Sequence, residues 1–142
     1  MYNEDKPLIV TIDDDPIILN TILSILKPYY RVCPFDSGET ALKFLTSSPA
    51  DLILLDCNMP GMSGFEVMDS VKNNILISEI PILFLTGKED HNSEILALEK
   101  GAADYLRKPI EPEVLLTRVR QQLELQRYRK HLEALVEKKR KT

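Results

Sequence analysis

DLILLDCNMPGMSG, residues 51–64, decides how the chain folds. Leu52, Ile53, Leu54 and Leu55 are apolar at every position, and Asp56 ends the run. A strand with one wet face alternates polar and apolar side chains. A strand buried on both faces does not, and it belongs in a parallel sheet covered by helices. Pro60, Gly61 and Gly64 then mark a loop, and residues 64–73 set Phe65, Met68 and Val71 at helical spacing. The stretch reads as a buried strand carrying a carboxylate at its end, followed by a helix.

The same unit recurs on either side. Upstream, Leu8–Ile12 precedes residues 16–27, where Ile18, Ile22 and Ile25 share a face and Pro28 stops the helix. Arg31–Pro34, a weaker strand, precedes residues 37–46. There Asp36 and Glu39 stand at capping-box spacing, and Ala41, Leu42 and Leu45 face inward. Downstream, Ile82–Leu85 precedes residues 91–100, with Ile95 and Leu98 as the inward face and Gly101 as a C-terminal cap. Ala103–Leu106 precedes a last helix running from near Pro112 to the chain end. Five βα units imply a parallel sheet with right-handed crossovers and helices on both faces.

Ligands bind such sheets beyond the carboxyl ends of the strands. Four of the five strands deliver polar groups to that edge: Asp13 and Asp14, Asp56, Thr86, and Lys108. Strand two ends in Cys33-Pro34-Phe35 and adds no obvious group. Carboxylates of Asp14 and Asp56 converging to about 4 Å would repel by about 4 kcal/mol at an effective dielectric near 20. Either one takes up a proton or a cation binds, and Mg2+ needs only one or two carboxylates, a carbonyl and waters. No His or Cys lies near enough in sequence to suggest a softer metal. Lys108 adds a fixed positive charge and Thr86 a hydroxyl donor. Carboxylates, a divalent ion, a lysine and a hydroxyl together suit phosphoryl transfer to an aspartate. An acidic pair after a strand also caps helices, and a lysine before proline is also a common loop charge. Joint placement on successive strand ends separates the two readings.

Composition narrows the partners. With 142 residues, 44% hydrophobic and 28% charged, the chain suits one soluble globular domain. Its polar start and the absence of a membrane-length apolar stretch make a cytoplasmic protein the expectation. Cys33 and Cys57 lack metal or disulfide spacing and read as reduced thiols. The net charge of −4 divides into −9 over residues 1–126 and +5 over residues 127–142. An acidic body does not invite nucleic acid, and basic residues at a helix C-terminus complement its dipole.

The motifs VTIDDDP (10–16), LILLDCNMPGMSGFE (52–66), PILFLTG (81–87) and GAADYLRKPI (101–110) closely resemble the receiver domain of two-component response regulators, over about residues 6–124. That resemblance implies a flavodoxin-like (βα)5 sandwich, α/β, with strand order 2-1-3-4-5, the order of the chemotaxis receivers. It implies Asp56 as phosphoacceptor, served by the histidine of a sensor kinase or phosphotransfer protein. It also implies Mg2+ held by Asp14, Asp56 and the Asn58 main-chain carbonyl, with Asp13 acting through water. Lys108 would pair with the carboxylate and then the phosphoryl oxygens, before a cis bond to Pro109. Thr86 and Tyr105 would be the switch pair. Asn58 and Lys88 border the expected path of attacking water. Ile110 departs from the family's usual Phe. An aspartyl-nucleophile phosphohydrolase, the rival enzyme reading, needs a second acid two residues after the nucleophile, where this chain has Asn58. A pseudo-receiver that only binds partners is the other alternative, and all five expected groups argue against it.

Two features lie outside the pocket. Asp15 before Pro16 suits an N-cap followed by proline at the first helical position. Residues 1–124 account for the domain, with Leu116, Val119 and Leu123 packing the last helix on it. Residues 125–142 extend that helix. Leu125, Tyr128, Leu132 and Leu135 form an a/d seam suited to a parallel coiled coil in a homodimer, leading to an absent output domain. A frayed helix competes with this reading, because two heptads are short. Met59 and Met62 read as loop packing, His91 and His131 as solvated helix residues.

Overall fold

The computed structural model describes residues 6–87 and 90–140. β1 (Leu8–Ile12), β2 (Arg31–Phe35), β3 (Leu52–Asp56), β4 (Ile82–Thr86) and β5 (Asp104–Arg107) alternate with five helices. These are α1 (Pro16–Leu26), α2 (Gly38–Ser47), α3 (Gly64–Lys72), α4 (His91–Glu99) and α5 (Pro112–Arg140). All strand pairs are parallel, in the order β2-β1-β3-β4-β5. The flavodoxin-like reading is thus the observed fold.

Alternation along each inner strand divides the core into two layers. Val10, Ile12, Ile53, Leu55, Ile82 and Phe84 pack under α2, α3 and α4 through Ala41, Leu45, Val67, Met68, Val71 and Ala97. Ile9, Leu52, Leu54, Leu83 and Leu85 face the other way, against Ile22 and Leu26 of α1 and Leu115 and Val119 of α5. Every residue of β3 and β4 is buried, so burial on both faces explains their unbroken apolar runs.

Helix starts obey local chemistry, with one correction. Asp15 caps α1 through a 2.9 Å bond from the Ile17 N–H, with Pro16 next. Ser63 and Glu66 close a reciprocal capping box on α3. α2 is capped by Ser37, whose hydroxyl accepts from the Thr40 N–H, and not by the Asp36–Glu39 pair. The helix starts at Gly38, where a Cβ would collide with Val67 of α3. β5 lies one residue later than expected. Gly101 ends α4 with a left-handed φ of 104°, and the Ala102 N–H returns to the Ala97 carbonyl.

The inward face of α4 also needs correction. Ile95 and Leu98 are 57% and 45% exposed, whereas Glu94 and Ala97 are buried. A small alanine lets the helix approach the sheet closely, and Glu94 is inside because Arg107 and Thr86 satisfy its carboxylate.

α5 packs through Leu115 and Val119, with Leu116 and Leu123 at the margin. Its hold on the body continues past residue 124. Gln126 is buried, and Arg129 reaches both the carbonyl and the carboxylate of Glu79 at 2.9 and 2.8 Å. Leu125, Tyr128, Leu132 and Leu135 are 46% to 69% exposed. No helix among the described residues is long and apolar enough to cross a membrane.

Candidate phosphoacceptor site

The site forms where β1, β3 and β5 end. Asp13 follows β1 and is fully buried, Asp56 is the last residue of β3 and 4% exposed, and Asp14 faces solvent at the mouth. Oxygens from the three carboxylates lie within 4.8 Å of one another. The Lys108 N–H bonds the Thr86 carbonyl at 2.8 Å, extending the β4–β5 ladder by one residue and turning the lysine toward the pocket. Its Nζ sits 2.9 Å from Asp56 Oδ1 and 3.2 Å from Asp13 Oδ2. The Lys108–Pro109 bond is cis. β2 contributes its backbone, because the Phe35 carbonyl accepts from the Asp13 N–H at 3.1 Å.

Burial dominates the electrostatics. It pushes the Asp56 carboxyl up to about 6, against the pull of Lys108 and with the help of Asp13 and Asp14. Asp13 is raised for the same reason, although the Asp15 N–H and Lys108 partly offset it. Burial would lower Lys108, but Asp56 and Asp13 outweigh it and hold the ammonium above its usual range. One lysine therefore faces more negative charge than it neutralises. Asp13 Oδ1 accepts from the Asp15 N–H, while buried Oδ2 has only the long ionic contact with Lys108 and no aligned hydrogen bond. Hard carboxylate oxygens, an under-satisfied one among them, suit Mg2+.

The loop after β3 folds back on itself. The Gly64 N–H bonds the Cys57 carbonyl, Met59 is buried, Met62 packs at the core margin, and Asn58 is exposed. Both methionines thus serve packing. Lys88, the other residue expected to border the water path, lies outside the described residues. Ile110 packs on the α1–α5 layer.

Thr86 ends β4 fully buried, and its hydroxyl donates to Glu94 Oε2 at 3.0 Å. Tyr105 is half-buried at the margin of the α2–α4 layer. Glu94 and Arg107 are site-adjacent residues that the sequence pattern did not reveal. Nothing in the linear pattern of α4 marks a glutamate as inward-facing, since its ion pair comes from β5. His91, expected to be merely solvated, lies 3.4 Å from Arg107 Nη2.

Comparisons with known proteins bear on the fold and the family. The family model of the response regulator receiver domain matches residues 9–120. A probable cyclic di-GMP phosphodiesterase of Vibrio cholerae is 41% identical over 119 residues, covering 84% of this chain and 27% of that protein. The transcriptional regulatory protein AfsQ1 of Streptomyces coelicolor is 37% identical over 115 residues, 80% of this chain and 50% of that protein. The chain thus spans between about a quarter and a half of these relatives. The crystal structure of a putative response regulator from Chloroflexus aurantiacus superposes with a TM-score of 0.82 at 32% identity, covering 84% of this chain and 99% of that one. The chain belongs to the receiver domains of two-component response regulators.

Proposed function

We propose that Asp56 accepts a phosphoryl group from the phosphohistidine of a sensor kinase or phosphotransfer protein. The observation that supports this most is Lys108 Nζ lying between Asp56 and Asp13 beside the solvent-facing Asp14. An Asp56 oxygen attacks phosphorus, the P–N bond of the donor breaks, and an acyl phosphate forms. Ionised Asp56 is the nucleophile, and a carboxyl raised to about 6 is mostly ionised at neutral pH. Asp14, Asp56 and the Asn58 carbonyl would hold Mg2+, with Asp13 acting through water. Bound there, Mg2+ offsets carboxylate repulsion and phosphoryl charge. Lys108 exchanges its carboxylate partner for a phosphoryl oxygen, while Thr86 and Tyr105 rearrange as the switch pair. Labelling by acetyl phosphate tests the reading: it should require Mg2+ and vanish with a chelator. A chain that takes no label would instead be a binding module.

The domain, residues 1–124, then acts as a cytoplasmic regulatory switch. It turns over no substrate beyond its own phosphorylation and contacts neither membrane nor nucleic acid. Residues 125–142 carry the change toward an output domain as a coiled coil between two copies, through Leu125, Tyr128, Leu132 and Leu135. The exposed seam supports this, because such a stripe gains stability only against a partner. The relatives, named as a phosphodiesterase and a transcriptional regulator, are both longer than the matched region. Sedimentation of the full chain should give a dimer whose mass falls on Leu132→Asp. A monomer at every concentration would rule the coil out.

A further inference from the structure

Thr86 has one hydroxyl hydrogen to give. It goes to Glu94 Oε2 at 3.0 Å, with the Leu106 carbonyl a poorer acceptor at 3.4 Å. Glu94 is 4% exposed, and a carboxylate so placed must be compensated. Arg107 does this with one edge of its guanidinium, Nε to Oε2 at 2.8 Å and Nη2 to Oε1 at 3.0 Å. His91 Nδ1 stands 3.5 Å from Oε1. Arg107 is also the register partner of Thr86 across β4 and β5, and its guanidinium lies 5.8 Å from the centre of the Tyr105 ring. One polar cluster therefore joins both residues of the proposed switch pair. Neither Glu94 nor Arg107 has a part in the phosphoryl chemistry above.

We propose that Glu94, braced by Arg107, is a positioning residue that withholds the Thr86 hydroxyl from the phosphorylation site and so sets the balance between resting and activated arrangements. The proposal rests on the reading of Asp56 as phosphoacceptor and Thr86 as its hydroxyl donor. A phosphoryl group must win the Thr86 hydrogen from a carboxylate already bound to it. The arginine holds Glu94 ionised, since its hydrogen bonds and charge keep the carboxyl below the usual range against the effect of burial. The donor is therefore engaged by a charged acceptor, the stronger kind. Once Thr86 leaves, Glu94 keeps its two bonds to Arg107, so release costs one charge-assisted bond and no orphaned charge. Such a bond biases an equilibrium roughly ten- to a hundredfold. Arg107 also lies over the Tyr105 ring, so the cluster that holds Thr86 touches both residues of the pair.

The test is the affinity of the full chain for beryllofluoride with Mg2+, measured by calorimetry. Glu94→Leu fills the same place without an acceptor and leaves half-exposed Arg107 to water, so binding should tighten roughly tenfold. Glu94→Gln keeps the shape and an acceptor but not the charge, and should give a smaller gain. In a Thr86→Val background neither substitution should alter affinity, because no hydroxyl remains to withhold. An unchanged affinity in both single variants, or an equal gain with and without the Thr86 hydroxyl, would overturn the proposal while leaving the phosphoacceptor reading intact. Failure of the native chain to bind beryllofluoride would overturn both.

Discussion

Replacing Asp56 by asparagine should stabilise the metal-free fold by about 2–3 kcal/mol at pH 8 and change it little near pH 4. The cause is the burial that raises the Asp56 carboxyl from 3.8 to about 6. Well below pH 4 the group is protonated in both folded and unfolded chains. Between pH 4 and 6 the unfolded chain gives up the proton and the folded chain resists, so native stability falls as pH rises. Above about pH 6 the whole penalty is present. Asparagine has the same shape and no charge, so its curve should lack that fall. Chemical denaturation at pH 4, 6 and 8 in chelator measures the difference. Millimolar Mg2+ should shrink it, because a cation would relieve the same repulsion. A native curve that rose between pH 4 and 7 as steeply as that of the variant would contradict the electrostatic account of the pocket.

Gly64→Ala should be among the most damaging single changes near the site. A Cβ there would collide with the Asp56 carbonyl oxygen and stand 3.0 Å from the Cys57 Cα. Both obstacles are backbone at the end of β3, so no side chain can swing away. Overpacking of this kind costs about 1–3 kcal/mol, and part of the strain would pass to the backbone that carries Asp56. Gly61 makes the control. It has a left-handed φ of 76° and open space where a Cβ would sit, so Gly61→Ala should cost about 1 kcal/mol of backbone strain alone. Thermal unfolding of the two variants measures the contrast. Equal losses would contradict the close-approach account, because Gly64 has no left-handed φ to explain a loss.

The contrast also shows what could be read from residue order. Both glycines signal the loop after β3, yet only the packed structure distinguishes the one pressed against Asp56. β3 and β4 were legible because burial on both faces leaves a strand apolar throughout, and a parallel sheet then fixes which end carries Asp56 and Thr86. Asp13 and Lys108 followed from the same logic. α4 departs from its expected face for the opposite reason. Its apolar residues Ile95 and Leu98 face outward, and its inward glutamate is tolerated only because Arg107 arrives from β5. Helical periodicity detects apolar faces and is blind to a buried charge whose partner is thirteen residues away. The cap of α2 moved from Asp36 to Ser37 because Gly38 must lie against Val67, which is a tertiary demand. What residue order could not show was therefore the second polar pair of the interior, Glu94 of α4 with Arg107 of β5.

The most direct measurement is labelling of the native chain and Asp56→Asn with isotopic acetyl phosphate, with Mg2+ and with chelator. A phosphoacceptor at Asp56 predicts stoichiometric, Mg2+-dependent label on the native chain and none on the variant. Equal label on both chains, or none on either, would contradict it.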